Sequence, residues 1–343
     1  MVKDYSKVPC TFSVTNNTGA DKEIDLRFIK LVIKNEETIS VKVEVSEYLA
    51  LFTARANELG LELGEPATEV TDEASMKEAL ADENVKEVVL SADLELAEAL
   101  VPTHDITIDG NGKTITSTKR AVNAEGAKVE LKNVNLKVAE DTAVRVANGG
   151  SVVVGKDVII ANEKGWGITA IGETNVEING TIETKAQPCI AGNGTKSGTT
   201  IVVNDGAKLV SDDITMFIPQ DGTVTINGGE IVGKTAIGIK AGTLNINGGT
   251  LTANGEKVET LKANNNGMAA WGDTIAIEVN KAYAGGKTDK NIKVNVSDKA
   301  VLTSANAEVI REFNPLKETI STEVTGAYVN KEEVAENIFV YTK

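Results

Sequence analysis

The acidic residues whose spacing comes closest to that of a hydrolase pair are Glu130 and Glu177. Both hold the outward position of a short strand, VEL in one case and VEI in the other, with one further copy of the strand between them. If the copies stack at about 4.8 Å, the two carboxylates lie roughly 9.6 Å apart on one face. That is the far edge of the roughly 6.5–9.5 Å range of an inverting glycosidase. Val153 stands between them and no basic residue is placed beside them, so we interpret both as part of a solvated face.

The other residues that could do chemistry are few and scattered. His104 is the single histidine and precedes the strand ITI, which favours a turn or capping role over proton transfer. Asp141 and the pair Asp212–Asp213 fall in predicted turns, where a metal site would need another carboxylate from a neighbouring coil. The two cysteines form neither a CxxC motif nor a Cys/His cluster. The sequence therefore predicts no catalytic residue, no metal and no cofactor.

Composition and charge argue against several classes of function. There are 50 acidic and 35 basic residues, and the net charge of -15 disfavours contact with nucleic-acid phosphates. No run of about 18 apolar residues occurs, so no membrane span is predicted. The opening MVKDYSKVPCTFSVT lacks the apolar core of a signal peptide, which predicts synthesis in a cytoplasm. Only 4% of residues are aromatic while glycine is plentiful, as is typical of strands separated by tight turns.

Short strands with one pattern recur from about Val88 onward. The third residues of successive copies are 23, 23, 24, 25, 23, 20 and 48 positions apart. We interpret the last gap as one coil with an insertion at 254–273. A period of 20 to 25 residues that holds three short strands predicts a right-handed parallel β-helix. The copies are ITI (106–108), VEL (129–131), VVV (152–154), VEI (176–178), IVV (201–203), VTI (224–226), LNI (244–246) and IKV (292–294).

An asparagine follows the core strand in the later copies. Stacked at one corner, such side chains can hydrogen-bond from coil to coil, as asparagine ladders do in cross-β structure. Asparagine and the glycines after it also tolerate the left-handed backbone of a sharp corner. A calcium-binding turn would instead need recurrent aspartates. We predict a structural ladder made of Asn179, Asn204, Asn227, Asn247 and Asn295.

Exposed aromatic residues would favour sugar binding. The candidates are Trp166, in NEKGWGI, and Trp271, which lies in the insertion beside Met268. Long loops on a rigid scaffold commonly carry function. We therefore predict that Met268, Trp271 and Trp166 contact a glycan or a partner. The alternative is that the loop folds back and buries Trp271 against the coil wall.

The chain outside the coils is predicted to form an N-terminal domain and two caps. Alternating stretches and the helical pattern SEYLALFTARANELG predict a small β-β-α-β domain over residues 1–66. At roughly 65 residues it is near the lower limit of independent stability. Its helix is therefore predicted to bind a partner through Tyr48, Leu51 and Phe52. The remaining segments are a linker and capping helix (67–84), the β-helix (85–304) and a C-terminal cap (305–343). In the capping helix, Ser75 and Glu78 are predicted to form a capping box.

One long stretch also resembles a known family. The segment SMKEALADENVKEVVLSADLELAEALVPTHDITIDGNGKTIT is similar to the opening of pectate-lyase-like adhesive β-helix domains of bacterial surface proteins and bacteriophage appendages. The resemblance covers roughly 73–253, and DITIDGNG is its most specific part. The end, TEVTGAYVNKEEVAENI, is similar to a closing segment that contains a helix. The resemblance implies the fold and not lyase activity, which needs a calcium-binding carboxylate cluster and a basic residue; only Arg120 and Arg145 fall within the regular coils.

These features together predict a mainly β, non-enzymatic structural protein of a bacteriophage virion. It would be a head fibre or capsid-decoration protein, anchored to the capsid or another virion protein by residues 1–66. The β-helix would contact host surface glycans, and a homotrimer is the favoured oligomer. The alternative is a bacterial cell-surface adhesin, and a polysaccharide depolymerase that uses Glu130 and Glu177 comes third.

Overall fold

The chain consists of a small N-terminal unit followed by a long stack of three-strand coils. The computed structural model describes residues 10–44, 46–64, 67–193, 195–264, 267–280, 292–315 and 321–343. The elements of the N-terminal unit are β1 (Cys10–Thr15), β2 (Lys22–Leu26), β3 (Ile29–Ile33), β4 (Thr38–Val43), α1 (Ser46–Glu58) and β5 (Glu62–Leu63).

The N-terminal unit has its own core, separate from that of the coils. Strands β4, β1 and β5 form one antiparallel sheet, while β2 and β3 form a hairpin. Phe12 and Phe52 are fully buried and meet edge to face at 5.6 Å. The prediction of two strands before the helix is wrong, because four precede it. The stretch DLRFIKLVIK reads as one strand, but it turns back at Arg27 and Phe28 without a glycine or asparagine to mark the turn.

A short helix covers the first coil. The elements here are β6 (Thr68–Val70), α2 (Glu73–Ala81), β7 (Glu87–Leu90) and β8 (Leu94–Leu96). Met76, Ala79 and Leu80 of α2 are buried in the core of the coils. The predicted capping box is wrong by one turn. Asp72 is the N-cap, its side chain accepts from the Ser75 N–H, and the Ser75 hydroxyl accepts from the Asp72 N–H.

Three parallel sheets form the walls of a β-solenoid of about eight turns, which confirms the predicted fold class. The first sheet continues from β6 and β7 through β9 (Ile106–Asp109), β12 (Lys128–Lys132), β15 (Ser151–Val154), β18 (Asn175–Ile178), β21 (Ser197–Val203), β24 (Asp221–Ile226), β27 (Thr243–Ile246), β30 (Ile292–Val296) and β33 (Thr322–Gly326). The second continues from β8 through β10 (Thr114–Ser117), β13 (Asn135–Val138), β16 (Ile159–Asn162), β19 (Thr181–Thr184), β22 (Lys208–Ser211), β25 (Glu230–Gly233), β28 (Thr250–Ala253) and β31 (Val301–Ser304). The third holds β11 (Val122–Glu125), β14 (Thr142–Ala147), β17 (Trp166–Ile171), β20 (Ile190–Ala191), β23 (Ile214–Ile218), β26 (Thr235–Ile239), β29 (Ile275–Glu278), β32 (Ile310–Phe313), β35 (Ile338–Thr342) and β34 (Asn330–Ala335).

The predicted insertion lies between β28 and β29, inside a single coil. Strand β27 pairs directly with β30, so the long gap in the repeat holds no additional turn of the solenoid. The register there differs from the predicted alignment by two residues, because Leu244 pairs with Val294 and Ile246 with Val296. Ile292 is buried as well. Three buried residues in alternation therefore allow two registers, and the pattern alone cannot choose between them.

The C-terminal end is covered by an antiparallel hairpin of β34 and β35, and β35 pairs with β32. This corrects the helix that the resemblance implied for NKEEVAEN. The hairpin places Lys331 Nζ 2.8 Å from a Glu312 carboxylate oxygen, and the Tyr341 hydroxyl donates to the same carboxylate. Neither helix in the described part of the chain is long and apolar enough to cross a membrane.

Candidate functional site

The outer face of the third sheet carries an open groove of about 760 Å³. Its floor is an outward column in which Arg145, Thr169, Ala191 and Phe217 are register partners on four successive strands. The small residues in the middle leave a hollow between the arginine and the phenylalanine. Because the strands stack at about 4.8 Å, this floor runs roughly 14 Å along the solenoid axis. The shape suits an extended chain molecule that lies along the axis.

The walls of the groove combine apolar and polar side chains. Trp166 begins β17 on one side and is half-buried, so part of its indole faces the groove. Phe217 is also half-buried. Gln187 and Asn193 add amide groups from the turns on either side of β20. The two rings and the amides give the groove both stacking surfaces and hydrogen-bonding groups.

Two arginines, Arg120 and Arg145, reach the groove. Arg120 Nη2 lies 3.0 Å from Asp141 Oδ2, and its Nη1 donates to Asn123 Oδ1 at 3.0 Å. Arg145 is ion-paired with Glu125. A guanidinium has five N–H donors. These ion pairs therefore hold both arginines in place. They occupy only some of the five N–H groups of each guanidinium, and the others can donate to a ligand.

The carboxylates that line the groove are Asp141 and Asp213. Burial raises the pKa of Asp213, and Lys234 opposes that rise. Asp141 precedes β14 and Asp213 precedes β23, three strand spacings away, which corresponds to roughly 14 Å. This exceeds the roughly 6.5–9.5 Å of an inverting glycosidase. No group of three or more metal-ligating side chains occurs among the described residues. The arrangement can bind a polymer by stacking and hydrogen bonding.

The structure brings two of the three predicted contact residues together. Trp166 and Met268 both line the groove, although they are about a hundred residues apart in sequence. The prediction is wrong for Trp271, which is 2% exposed and packs edge to face against Phe313 at 6.1 Å. The insertion folds back over the third sheet, as the alternative had it. The indole of Trp271 and the side chain of Leu261 together fill the space beneath the loop.

Buried charges anchor the insertion to the sheet below it. Lys240 Nζ lies 2.9 Å from Glu278 Oε1, and both side chains are inaccessible to solvent. Burial lowers the pKa of Lys240 while Glu278 opposes that shift. The pair holds the Asn264 backbone from two directions, since Lys240 donates to its carbonyl and Glu278 accepts from its N–H at 3.1 Å.

A second buried pair holds the other end of the insertion. Arg311 contacts Asp273 at 2.8 Å and donates to the carbonyls of Val258 and Trp271. The Thr235 hydroxyl accepts from the backbone N–H of Trp271 at 2.9 Å. Sequence reasoning missed these residues because charged side chains at outward positions are ordinarily solvated. It had no means of seeing that the loop covers them.

The asparagine corner forms the predicted ladder over four of its five members. Asn204 donates to Asn179 at 2.9 Å, Asn227 to Asn204 at 3.1 Å and Asn247 to Asn227 at 3.0 Å. The fifth assignment is wrong: Asn295 bonds Asn245 at 2.7 Å, because the last coil is in the shifted register. In the two ladder corners that continue as Asn-Gly-Gly, 227–229 and 247–249, the left-handed backbone falls on the second glycine, Gly229 with φ 85° and Gly249 with φ 89°, and not on the asparagine.

The first sheet carries Glu130 and Glu177, whereas the groove lies on the third sheet. Val153 stands between them in register, as predicted. The expectation that no basic residue lies beside them is wrong for Glu130, which is 3.4 Å from Lys132. Glu177 accepts from Asn204 at 3.0 Å. Neither residue lines the groove of the third sheet. His104 contacts the Val85 carbonyl at 2.6 Å, which agrees with a role in the turn.

The predicted anchor helix presents two of its three residues. Tyr48 is 40% exposed and Leu51 is 55% exposed. Tyr48 stacks on Phe28 with the ring centroids 4.2 Å apart. Phe52 is fully buried in the N-terminal core, so its prediction as a contact residue is wrong. The exposed Leu51 and the buried Phe52 are adjacent in the helix, and the sequence pattern did not show which of the two faces the core.

Part of the solenoid is similar to a described family of domains. Residues 67–190 match the family model described as "Putative pectate lyase-like adhesive domain". Among solved structures, the chain is similar to one titled "L. reuteri 53608 SRRP", at 14% identity and a TM-score of 0.38, over 76% of this chain and 98% of that chain. None of the curated proteins compared matches this chain.

Proposed function

We propose that this chain is an adhesive β-solenoid that holds a surface polysaccharide in the groove of its third sheet. The observation that carries the proposal is that two aromatic side chains, Trp166 in the wall and Phe217 in the floor, line the same groove. Aromatic rings offer apolar faces on which the C–H face of a sugar can lie. Arg120, Arg145 and the wall amides supply the donors that sugar hydroxyls require. The adhesive description of the family matched by residues 67–190 supports this proposal.

The groove binds without cutting in this proposal. Asp141 and Asp213 are roughly 14 Å apart along the axis, too far for the two carboxylates of an inverting hydrolase. A polysaccharide incubated with the protein is therefore expected to yield no new reducing ends and no unsaturated products. Either product would overturn the non-enzymatic assignment.

Retention on immobilised polysaccharides tests the binding site. A suitable panel holds starch, dextran, xylan, galactan, chitin and polygalacturonate. Trp166→Ala is expected to weaken retention on the bound polymer about tenfold or more, because an aromatic anchor in an interface commonly contributes about 2 kcal/mol. Tyr48→Ala removes an exposed aromatic from the N-terminal unit and is the matched control, expected to bind normally. Equal binding by Trp166→Ala and the unaltered chain would refute the groove assignment.

The carrier of the adhesive domain forms a second part of the proposal. We place it on a bacteriophage virion as a homotrimeric head fibre or decoration protein, with a bacterial cell surface as the alternative. The separate core of the N-terminal unit and the exposed Tyr48 and Leu51 support an anchoring role for residues 1–66. Immunogold electron microscopy of purified particles and of cells distinguishes the two locations. Deletion of residues 1–66 is expected to leave the solenoid free in solution, and particles that still carry it would contradict the anchor.

A further inference from the structure

The groove ends where the insertion crosses the third sheet. The outward column of the floor continues beyond Phe217 through Gly238 and Ala276. In the groove, Thr169 and Phe217 of this column are half-buried and Ala191 is 4% exposed, whereas under the insertion Ala276 is 0% exposed and Gly238 is buried. The difference arises because the insertion lies on the sheet from β26 onward. The floor itself does not end there; it is covered.

The side chain that closes the groove is Met268. Its Sδ would lie only 2.7 Å from a Cβ at position 238, so the glycine there makes room for the methionine. Met268, Gly267 and Asn264 of the insertion line the groove together with Phe217. The end wall is therefore built from the loop, and its surface beside Phe217 is apolar.

The wall is held rigidly by the charges beneath it. Asn264 is clamped at its N–H by Glu278 and at its carbonyl by Lys240. Trp271 and Leu261 fill the space between the loop and the sheet. Displacing the wall would expose the Lys240–Glu278 pair and unpack an indole. A ligand is therefore expected to stop at the wall instead of passing beneath it.

The opposite end of the groove has no such cover. There the column continues through Asn123 of β11, which is half-buried like Thr169. Arg120 and Arg145 lie at this end. The open end of the groove thus carries the two arginines, whereas the closed end combines the apolar Phe217 and Met268 with Asp213 and Asn264.

We infer that the groove takes the terminal residues of a polysaccharide chain and not its interior, an inference that rests on the proposed function. A chain enters past Arg120 and Arg145, lies over Thr169 and Ala191, and ends against Met268. An interior segment would need an exit at both ends of the floor. The insertion removes one of them.

Competition with size fractions distinguishes terminal from interior binding. The probe is whichever polymer of the six-member panel the chain retains, cut into linear, unbranched fractions that are separated by increasing length. For a terminal binder, the molar concentration of chains that halves retention is the same for every fraction, because each chain offers one such end. For an interior binder, a fraction about tenfold longer inhibits at about tenfold lower molar concentration, since it offers that many more sites. The second result overturns the inference.

Two variants test the role of the wall. Met268→Ala removes the apolar contact and is expected to weaken binding of the shortest retained fraction about fivefold, the size of one lost apolar contact. Lys262→Ala, an exposed residue of the same insertion, is the control and is expected to bind normally. Unchanged binding by Met268→Ala, with an unchanged melting temperature, would refute the contact.

The outcomes separate this inference from the proposed function. Retention that depends on Trp166 but inhibition that scales with chain length leaves the groove assignment standing and overturns terminal recognition. Retention that does not depend on Trp166 overturns both.

Discussion

The asparagine corner and the covered end of the third sheet belong to the same solenoid but are stabilised in opposite ways. At the corner, neutral amides repeat from coil to coil near the surface, with donor–acceptor distances of 2.9 to 3.1 Å. Under the insertion, two ion pairs are excluded from water, and each occurs once. A repeated contact needs only the coil spacing to position it. A single buried charge pair needs a dedicated cover, and the same cover shapes the groove.

The largest effect is expected from removing one charge under the insertion. Lys240→Ala leaves the Glu278 carboxylate buried without its counter-charge, and breaking a buried pair in this way costs about 3–5 kcal/mol. Unfolding in urea measures the loss. In a Trp166→Phe background, Trp271 is the single tryptophan and its fluorescence reports the cover directly.

An exposed pair of the same geometry is the matched control for that prediction. Lys185 Nζ lies 2.8 Å from Glu163, but the two side chains are 64% and 59% exposed. Lys185→Ala is expected to cost about 0–1 kcal/mol, because water screens the attraction. Similar losses in the two variants would contradict the importance assigned to the cover.

The second prediction concerns the pH dependence of stability, which the Asp273 carboxyl group should affect and the neutral asparagine ladder should not. Burial raises the pKa of Asp273 from 3.8 to about 6, although Arg311 opposes the rise. The folded state therefore binds this proton more tightly than the unfolded state. The stability gained from binding this proton is complete below the pKa that Asp273 has in the unfolded state, and it is lost as the pH rises through about 6. The free energy of unfolding is expected to fall by roughly 2–3 kcal/mol between pH 4 and pH 7 from this group.

Asp273→Asn should remove that part of the pH dependence, as denaturant titrations at pH 4 and pH 7 would show. The ladder variant Asn227→Ala should retain it in full. A pH profile that is identical in the Asp273→Asn variant and the unaltered chain would contradict the assignment to this carboxyl group.

The smallest effect is expected at the corner itself. Asn227 donates to Asn204 and accepts from Asn247. Asn227→Ala removes both bonds near the surface, where water replaces them in part, so the expected loss is about 1 kcal/mol. Thr225→Ala, an outward position of the same strand, is the control. A loss as large as that of Lys240→Ala would show that the corner is cooperative and not a sum of small contacts.

The sequence predicted what the repeat determines and missed what depends on its interruption. The spacing of the repeat is enough to predict the columns of buried apolar residues, the single insertion and the ladder from Asn179 to Asn247. Each coil places the same kind of residue at the same point. Asn295 was misplaced where three alternating buried residues permit two registers. The groove itself was not foreseen: the distance between Trp166 and Met268 depends on how an irregular loop crosses the sheet. Phe217 and Lys240 carry no local signal that distinguishes them from other outward residues.

The order of the strands also determines how the molecule would respond to a pull between its two ends. Along each sheet the strands follow the chain, from β6 to β33 in the first sheet and from β8 to β31 in the second, so a tension along the axis acts across the strands and opens their hydrogen bonds one coil at a time. The pairs Lys240–Glu278 and Arg311–Asp273 each bridge neighbouring strands of the third sheet. They add side-chain links between the C-terminal coils to the hydrogen bonds of the backbone. Under such a pull, the coils between the N-terminal unit and the groove would therefore separate before the coil that holds the groove's end wall.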